Sequence, residues 1–279
     1  MKAASFDYQR PATLQAAIRL LADAGGDAKV MGGGQSLGPM LNLRLTRPKQ
    51  VVDVSALSEL RQVTQAGDSI RIGAAVTHAE IEDGVHALLC GTLLQSIAGG
   101  IAYRAIRNRG TLGGSLAHAD PAADWVLAAA ALAAQIEITS PAGTRRVPME
   151  RFMQGAYTTA LADGELLSAL WVPKLGAAAR WGYFKFCRKT GEFAEASCAA
   201  VFDPERRFAR IVIGALDGAP QALPGLAAQA ARTGAVPPRL AVEAAVSAAA
   251  PTQDAVDRKL LVAAVERCLR QVFVSEQAQ

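Results

Sequence analysis

Two glycine-rich turns constrain the fold of this 279-residue chain more than any other feature. The glycines at positions 32–34 follow an apolar segment, residues 28–31, and precede a segment with helical spacing. A second turn, with Gly113 and Gly114, leads into another helical segment. Glycine lets the backbone approach a ligand closely, and successive N–H groups at the start of a helix favour an anion such as a diphosphate. The turns therefore predict an α/β unit that binds a phosphate-bearing ligand, with a connector that binds nothing as the alternative for the first turn.

Neither of two common nucleotide-binding fingerprints fits the first turn. The dinucleotide pattern GxGxxG requires glycine or alanine at position 37, where Leu37 stands. The P-loop pattern requires lysine after Gly38, where Pro39 stands. Nicotinamide binding of the Rossmann type and nucleotide hydrolysis are therefore disfavoured.

Composition excludes several other classes of protein. Hydrophobic residues make up 51% of the chain and charged residues 19%, which argues against intrinsic disorder. The net charge of +4 is scattered along the sequence, so we expect no nucleic-acid interface. The longest apolar run, residues 125–134, is about half of the ~20 residues that span a bilayer, and the N-terminus lacks the apolar region of a signal peptide. We expect a soluble, cytoplasmic protein without a membrane span.

Cysteine and histidine residues do not indicate a metal site or a nucleophile. The four cysteines are far apart and form no CxxC motif, so the sequence encodes no local iron–sulfur or zinc site. The histidines are not spaced as metal ligands, and none pairs with a serine or cysteine as in a Ser–His–Asp site. We therefore expect no metal ligand and no catalytic residue in this chain, and the role of His118 stays open.

Hydrophobic periodicity predicts an α+β fold. Residues 1–55 are expected to form a small α/β unit, residues 56–175 a larger α+β unit, and residues 176–279 a C-terminal domain with a three-stranded antiparallel sheet. The predicted helices are 13–24, 36–45, 78–83, 87–108 with an interruption at Gly99-Gly100, 122–134 and 255–274. The predicted strands are 28–31, 50–54, 69–76, 135–139, 166–172, 181–188, 195–203 and 208–216.

Polar side chains around the second turn suit a ligand with hydroxyl and phosphate groups. Thr111 and Ser115 add hydroxyl donors to the glycine N–H groups, and Asp124 supplies a carboxylate that can accept hydrogen bonds from ribose or ribityl hydroxyls. Asp120 precedes Pro121, a usual way to start a helix, so an N-cap is the alternative role for Asp120. For Asp124 we favour ligand contact.

Three sequence blocks carry a resemblance to a known family: GGGQSLGPMLNLRL at 32–45, TLGGSLAHADPAADW at 111–125 and FKFCRKTGEFAEAS at 184–197. The chain resembles the FAD-binding subunit of the molybdenum hydroxylases, and is similar to the medium subunit of aerobic carbon monoxide dehydrogenase and to the flavin domain of xanthine dehydrogenase. The resemblance covers essentially the whole chain, including the spacing between blocks. It implies a two-part FAD-binding domain at 1–175, with subdomains of about 1–55 and 56–175, followed by the C-terminal domain at 176–279.

The resemblance also implies an FAD site. Two loops would cradle the diphosphate, Asp124 would contact the sugar alcohol, Ile101 and Leu167 would lie near the flavin, and Lys185 would lie beside its ring. The candidate site residues are Lys29, Val30, Met31, Gly32, Gly33, Gly34, Gln35, Ser36, Ile101, Thr111, Gly113, Gly114, Ser115, Asp120, Asp124, Leu167 and Lys185. The family often has histidine where Gln35 stands, and residues 189–193 correspond to a variable loop.

Lys185 lies in a stretch whose side chains alternate between two faces. It shares a face with Tyr183 and Cys187 and lies opposite Phe184 and Phe186. Near the flavin ring, its ammonium would stabilise the reduced, anionic flavin. The alternative is a solvated lysine on the outer face of the sheet.

The resemblance implies an electron-transfer function. FAD on this chain would collect electrons from [2Fe–2S] clusters on a small subunit and deliver them to an external acceptor, while a large subunit carries molybdopterin, in a dimer of heterotrimers. The alternatives are a stand-alone FAD-dependent oxidoreductase with its own organic substrate, and a non-enzymatic nucleotide-binding or scaffold protein. Carbon monoxide, an aldehyde, a purine and another N-heteroaromatic all stay open as substrates of the complex.

Overall fold

A small parallel sheet begins the chain, in a computed structural model that describes residues 2–274. The sheet has the strand order β1-β3-β2, and its elements are β1 (Asp7–Gln9), α1 (Leu14–Asp23), β2 (Ala28–Met31), α2 (Leu37–Asn42) and β3 (Gln50–Asp53). Thr13 starts α1, because its side chain accepts a hydrogen bond from the Ala16 N–H. Leu21 of α1 packs against Val52 and Val54, which closes a small core. The first glycine turn leaves the carboxyl end of β2, as the sequence predicts.

The middle of the chain combines a five-stranded antiparallel sheet with short helices. The sheet order is β4-β5-β10-β6-β7, and β8 and β9 form a separate pair. The strands are β4 (Val63–Ala66), β5 (Ser69–Gly73), β6 (Gln135–Ser140), β7 (Gly143–Pro148), β8 (Met153–Gly155), β9 (Thr158–Thr159) and β10 (Leu166–Pro173). The helices are α3 (His78–Glu82), α4 (Leu93–Ala98), α5 (Arg104–Arg107), α6 (Leu112–His118), α7 (Asp124–Ala131) and α8 (Met149–Phe152).

The helix predicted at 87–108 is wrong in its extent. The segment contains a 3-10 turn at Ala87–Leu89, followed by α4 and α5 as separate short helices. Gly91 has a φ of +69° and Ala102 a φ of +44°. Both values lie in the left-handed region, which a right-handed helix cannot contain, so the chain turns at both positions.

The start of α7 also differs from the prediction. The helix begins at Asp124 rather than at residue 122, and Ala123 is its N-cap. Asp120 instead closes a tight turn, because its Oδ1 accepts the Ala122 N–H at 2.9 Å. The N-cap role considered for Asp120 is therefore wrong. The predicted strand at 69–76 is shorter as well, since β5 ends at Gly73.

The C-terminal part contains an antiparallel meander with helices on one face. Its elements are β11 (Arg180–Phe186), β12 (Ala196–Asp203), β13 (Phe208–Gly214), β14 (Gln221–Ala222), α9 (Pro224–Thr233), α10 (Arg239–Ala249) and α11 (Ala255–Phe273). The predicted strand count of three is wrong by one, because the two-residue β14 adds to the edge of β13. The predicted final helix is confirmed, and Leu261, Val265, Cys268, Leu269 and Val272 are buried along one of its faces.

The C-terminal sheet is buried on both faces. Along β12, Ala199 and Val201 belong to the core of the middle unit, whereas Cys198 and Ala200 pack with the C-terminal helices. Helix α7 is buried all round beneath this sheet, which accounts for the apolar run at 125–134. Within residues 2–274, no helix is long and apolar enough to cross a membrane. The domain boundary near residue 175 stays a prediction, because this sheet shares a core with the middle unit.

Candidate functional site

The two glycine turns lie in direct contact. A Cβ added at Gly33 would lie 1.7 Å from the carbonyl oxygen of Arg109, and one at Gly32 would lie 2.6 Å from Oγ1 of Thr111. No side chain fits into either gap. The turns meet because glycine occupies these positions, and this contact agrees with the shared site for both loops that the resemblance implies.

Most N–H groups at the start of the second turn already have acceptors within the protein. Leu112 donates to the carbonyl of Val76 and Gly113 to that of Ala74, each at 2.9 Å. The Gly114 N–H donates to Oγ1 of Thr111 at 3.1 Å, which makes Thr111 the N-cap of α6. These bonds tie the second turn to residues 74–77. Among residues 2–274 the half-buried hydroxyl of Ser115 has no hydrogen-bond partner.

The first turn has the opposite character. Within residues 2–274, the N–H groups of Gly33, Gly34, Gln35 and Ser36 have no acceptor. Gly34 has a φ of +72°, which glycine adopts without strain. Gln35 folds back to donate to the carbonyl of Gly33 at 3.1 Å, so its side chain stabilises the turn. Successive unpaired N–H groups of this kind form an anion-binding concavity.

A cleft of about 560 Å³ opens where the turns meet. Gly33 and Thr111 line it from the two turns. Charged side chains of both signs surround it, namely Arg10, Arg61, Arg109, Asp53, Glu80 and Asp83. This volume lies within the range of roughly 300–1,000 Å³ that small-molecule sites occupy. The junction of the two turns therefore has room for a small molecule, and Gly33 brings one of the unpaired N–H groups to the wall of this cleft.

A buried ion pair lies at the start of α7. Asp124 is 7% exposed, and its Oδ1 lies 2.9 Å from the Nζ of Lys185, whose side chain is 9% exposed. The Tyr183 hydroxyl donates to the same carboxylate. Burial, and then the charge of Asp124, raise the pKa of Tyr183 well above its usual range, so the hydroxyl stays protonated. The solvated-lysine alternative for Lys185 is therefore wrong.

The predicted alternation along β11 is confirmed. Tyr183 packs toward the core of the middle unit, whereas Phe184 and Phe186 pack with the C-terminal helices. Lys185 also donates to the carbonyl of Gly100 at 3.0 Å. The C-terminal sheet thereby places its lysine against both α7 and the loop after α4, and half-buried Ile101 follows Gly100 in that loop.

The other predicted site residues lie in different surroundings. Leu167 is 5% exposed and packs inside the core of the middle unit. Asp120 accepts a hydrogen bond from the Tyr157 hydroxyl at 3.2 Å. Lys29 is exposed on β2, and Val30 and Met31 are half-buried beside it. The structure thus groups Gly32–Ser36 with Thr111–Ser115, and Asp124 with Lys185, whereas Leu167 lies in the protein interior.

A buried histidine lies next to the second turn and stabilises it. The Nδ1 of His78 accepts a hydrogen bond from the Trp125 indole at 2.9 Å, and the His78 N–H donates to the carbonyl of Gly110 at 3.0 Å. Burial, and secondarily the charge of Arg107, lower the pKa of His78 to about 4. The imidazole is therefore neutral near pH 7.

Two residues of the site were missed from the sequence. Tyr183 shares the Asp124 carboxylate with Lys185, and its position two residues before Lys185 on a strand was the available signal. Arg107 donates to carbonyls of the loop that contains Ile101. No sequence signal indicated this contact, because it depends on how α5 packs.

Comparison with known proteins agrees with this arrangement. Residues 4–175 match the family model described as the FAD binding domain in molybdopterin dehydrogenase. The chain is 36% identical over 225 residues to the 6-hydroxypseudooxynicotine dehydrogenase complex subunit alpha of Paenarthrobacter nicotinovorans, covering 80% of this chain and 76% of the relative. It is 36% identical over 196 residues to the carbon monoxide dehydrogenase medium chain of Hydrogenophaga pseudoflava, covering 70% and 68%.

Solved structures extend the likeness to almost the whole chain. Quinoline 2-oxidoreductase from Pseudomonas putida 86 superposes with a TM-score of 0.86 and 33% identity, over 98% of each chain. Carbon monoxide dehydrogenase from Hydrogenophaga pseudoflava superposes with a TM-score of 0.85 and 30% identity, also over 98% of each chain. The chain therefore belongs to the FAD-binding domains of the molybdopterin dehydrogenases, and is an oxidoreductase subunit of the molybdenum hydroxylase family.

Proposed function

We propose that this chain is an electron-transfer subunit, in which bound FAD passes electrons from [2Fe–2S] clusters of a partner subunit to an external acceptor. The single observation that carries the proposal is the row of unpaired N–H groups at Gly33–Ser36, held against the second turn. These donors suit the FAD diphosphate, and the Ser115 hydroxyl lies on the neighbouring turn. The fit agrees with a family whose domain binds FAD.

Asp124 and Lys185 would contact the flavin half of the cofactor. A carboxylate offers about four acceptor positions, and Tyr183 and Lys185 leave part of this capacity for ribityl hydroxyls. The Lys185 ammonium has three donors, of which one bonds Asp124 and one bonds the Gly100 carbonyl. The remaining donor is available to the ring. Since Asp124 neutralises this cation, its effect on the flavin potential is smaller than that of an isolated lysine.

The proposed complex contains a small iron–sulfur subunit and a large molybdopterin subunit, assembled in the cytoplasm as a dimer of heterotrimers. The relatives are named as subunits, such as a medium chain or subunit beta, of enzymes whose names refer to carbon monoxide, nicotine, caffeine, glyceraldehyde or xanthine. Because similar flavin subunits accompany such different substrates, we propose that the large subunit sets the substrate class.

Purification through a tag on this chain tests the proposal. We expect one FAD per chain, together with an iron–sulfur protein and a molybdopterin protein. The visible flavin band of the isolated chain should persist when carbon monoxide, glyceraldehyde, xanthine, nicotine or caffeine is added anaerobically. In the complex, one of these compounds should bleach the flavin band if the complex shares its substrate with a relative. An isolated chain whose flavin is bleached by an organic substrate would instead indicate a stand-alone oxidoreductase. A chain that takes up no FAD would indicate a scaffold protein.

A further inference from the structure

The loop at residues 99–103, between α4 and α5, has a backbone that needs external support. Ala102 has a φ of +44°, which is unfavourable for a residue with a Cβ. Gly191, from the loop after β11, lies so close that a Cβ there would be 3.1 Å from the Ala102 carbonyl oxygen. Such a conformation persists only where the surroundings hold it, and strained backbone of this kind clusters at functional sites.

Two cations hold three consecutive carbonyls of this loop. Lys185 donates to the carbonyl of Gly100 at 3.0 Å. The Nη1 of Arg107 donates to the carbonyls of Ile101 and Ala102 at 3.0 and 3.1 Å. The loop is thus fixed jointly by the lysine that we place beside the flavin and by an arginine that the sequence did not indicate.

Arg107 is itself fixed by a carboxylate. Its Nε lies 2.8 Å from Oε2 of Glu82, and its Nη2 lies 2.9 Å from Oε1. The arginine side chain is 11% exposed. A guanidinium can form this two-point pair and still donate to carbonyls, whereas lysine, with a compact ammonium, cannot reproduce the planar fork.

The direction of these carbonyls determines where the N–H groups of the same peptides point. In a trans peptide the C=O and N–H groups point in opposite directions, and no described peptide bond is cis. The N–H groups of Ala102 and Tyr103 share peptides with the two carbonyls that Arg107 binds, so both point away from Arg107. Within residues 2–274, neither N–H has an acceptor.

We propose that Arg107, fixed by Glu82, is a positioning residue that aims the Ala102 and Tyr103 N–H groups at the edge of the flavin ring beside Lys185. The inference rests on the proposed function, since it requires bound FAD. Hydrogen-bond donors stabilise the reduced, anionic ring more than the oxidised ring, because charged acceptors bind donors more strongly. Arg107 therefore raises the flavin midpoint potential without touching the cofactor.

Arg104 provides a matched control for Arg107. It pairs with Glu82 at 2.9 Å and with Asp83 at 2.6 Å, but it makes no hydrogen bond to the loop carbonyls. In the FAD-loaded protein, we expect Arg107→Met to lower the ratio of reduced to oxidised flavin about tenfold at a given potential, which is about 30 mV for a two-electron couple. Arg104→Met should leave the midpoint within error of the wild type.

A conservative variant separates positioning from charge. Arg107→Lys keeps the positive charge but loses the two-point geometry, so its midpoint should fall toward that of Arg107→Met. A wild-type midpoint in Arg107→Met, an equal shift in Arg104→Met, or full restoration by Arg107→Lys would each overturn the inference.

Hydrogen exchange of the wild-type protein tests the same claim without a variant. FAD should slow exchange of the Ala102 and Tyr103 amides at least tenfold. If the chain binds FAD and these two amides exchange at an unchanged rate, the inference fails and the proposed function stands. If the chain binds no FAD, the proposed function fails first.

Discussion

The first and second glycine turns touch each other, yet they use glycine for different purposes. At the second turn, Gly113 lets the chain press against Ala74, and its N–H is bonded to the Ala74 carbonyl. At the first turn, Gly33 lets the chain press against Arg109, but the N–H groups of Gly33–Ser36 have no acceptor in the part of the chain that the structure describes. Glycine content alone therefore does not identify a phosphate site. The distinguishing property is whether the amides of the turn already have acceptors.

This difference changes how glycine substitutions are interpreted. Replacing Gly33 or Gly113 damages packing before it affects a ligand, so loss of flavin from such variants does not locate the phosphate contacts. Gly34 is better suited to that purpose, because a Cβ there would meet only the side chain of Met31, at 3.4 Å.

The largest effect is expected at the two packing glycines. In Gly113→Ala the new Cβ would lie 2.4 Å from that of Ala74, and in Gly33→Ala it would lie 1.7 Å from the Arg109 carbonyl oxygen. We expect each to lower the free energy of unfolding by about 3 kcal/mol or more, at the upper end of overpacking costs. Denaturant unfolding measures the change. Gly38→Ala is the control, since its Cβ meets nothing within 4 Å. Near-wild-type stability of either packing variant would contradict the contact between the turns.

The next effect is a pH dependence of the support beneath the second turn. The pKa of His78 falls on folding from 6.5 to about 4, so the unfolded chain takes up this proton first as the pH falls. The unfolding free energy should therefore decrease between pH 6.5 and 4, by as much as about 3 kcal/mol from this group. Carboxylates add their own dependence below about pH 5, so the measurement is the difference between the wild type and His78→Gln. Parallel pH profiles would show that His78 is not buried and neutral.

A smaller effect on stability, but a specific effect on binding, is expected at Gly34. Its φ of +72° makes Gly34→Ala cost about 1–2 kcal/mol of stability. Gly67→Ala is a matched control with similar strain, since Gly67 has a φ of +59° and lies in the β4–β5 turn with nothing within 4 Å. FAD titration should show weaker binding for Gly34→Ala and unchanged binding for Gly67→Ala. Equal affinities in both variants would remove the first turn from the phosphate site.

The smallest effect is expected from the cap of the second turn. Thr111→Val removes the side-chain acceptor for the Gly114 N–H and should cost about 1 kcal/mol. Thr111→Ser keeps the hydroxyl and should restore most of this stability. Thermal unfolding of the two variants measures the difference, and equal melting temperatures would show that the cap contributes nothing.

The sequence predicted local features of both turns well. Thr13 at the start of α1, the strand before the first turn and the alternation along β11 follow from capping preference and side-chain periodicity, which are properties of neighbouring residues. The resemblance to a known family then indicated FAD. The resemblance, and not the local signals, led us to expect both turns at one site, and the structure shows them in contact.

Long-range pairings were not predictable from the sequence. Asp124 and Tyr183, whose hydroxyl donates to the Asp124 carboxylate, are 59 residues apart. The carbonyls that accept the Leu112 and Gly113 N–H groups of the second turn belong to Val76 and Ala74. The left-handed Ala102 that separates α4 from α5 also has no local signal, since alanine normally favours a helix. Tertiary contacts with Arg107 and Lys185 outweigh that preference.

Hydrogen exchange at single amides, with and without FAD, tests the contrast between the turns most directly. Without FAD, the amides of Gly33–Ser36 should exchange rapidly because they have no acceptor, whereas those of Leu112–Gly114 should already be protected. Addition of FAD should slow exchange strongly at Gly33–Ser36 and change Leu112–Gly114 little. Equal protection of both turns by FAD, or no protection of Gly33–Ser36, would contradict the assignment of the first turn as the phosphate site and the second as its support.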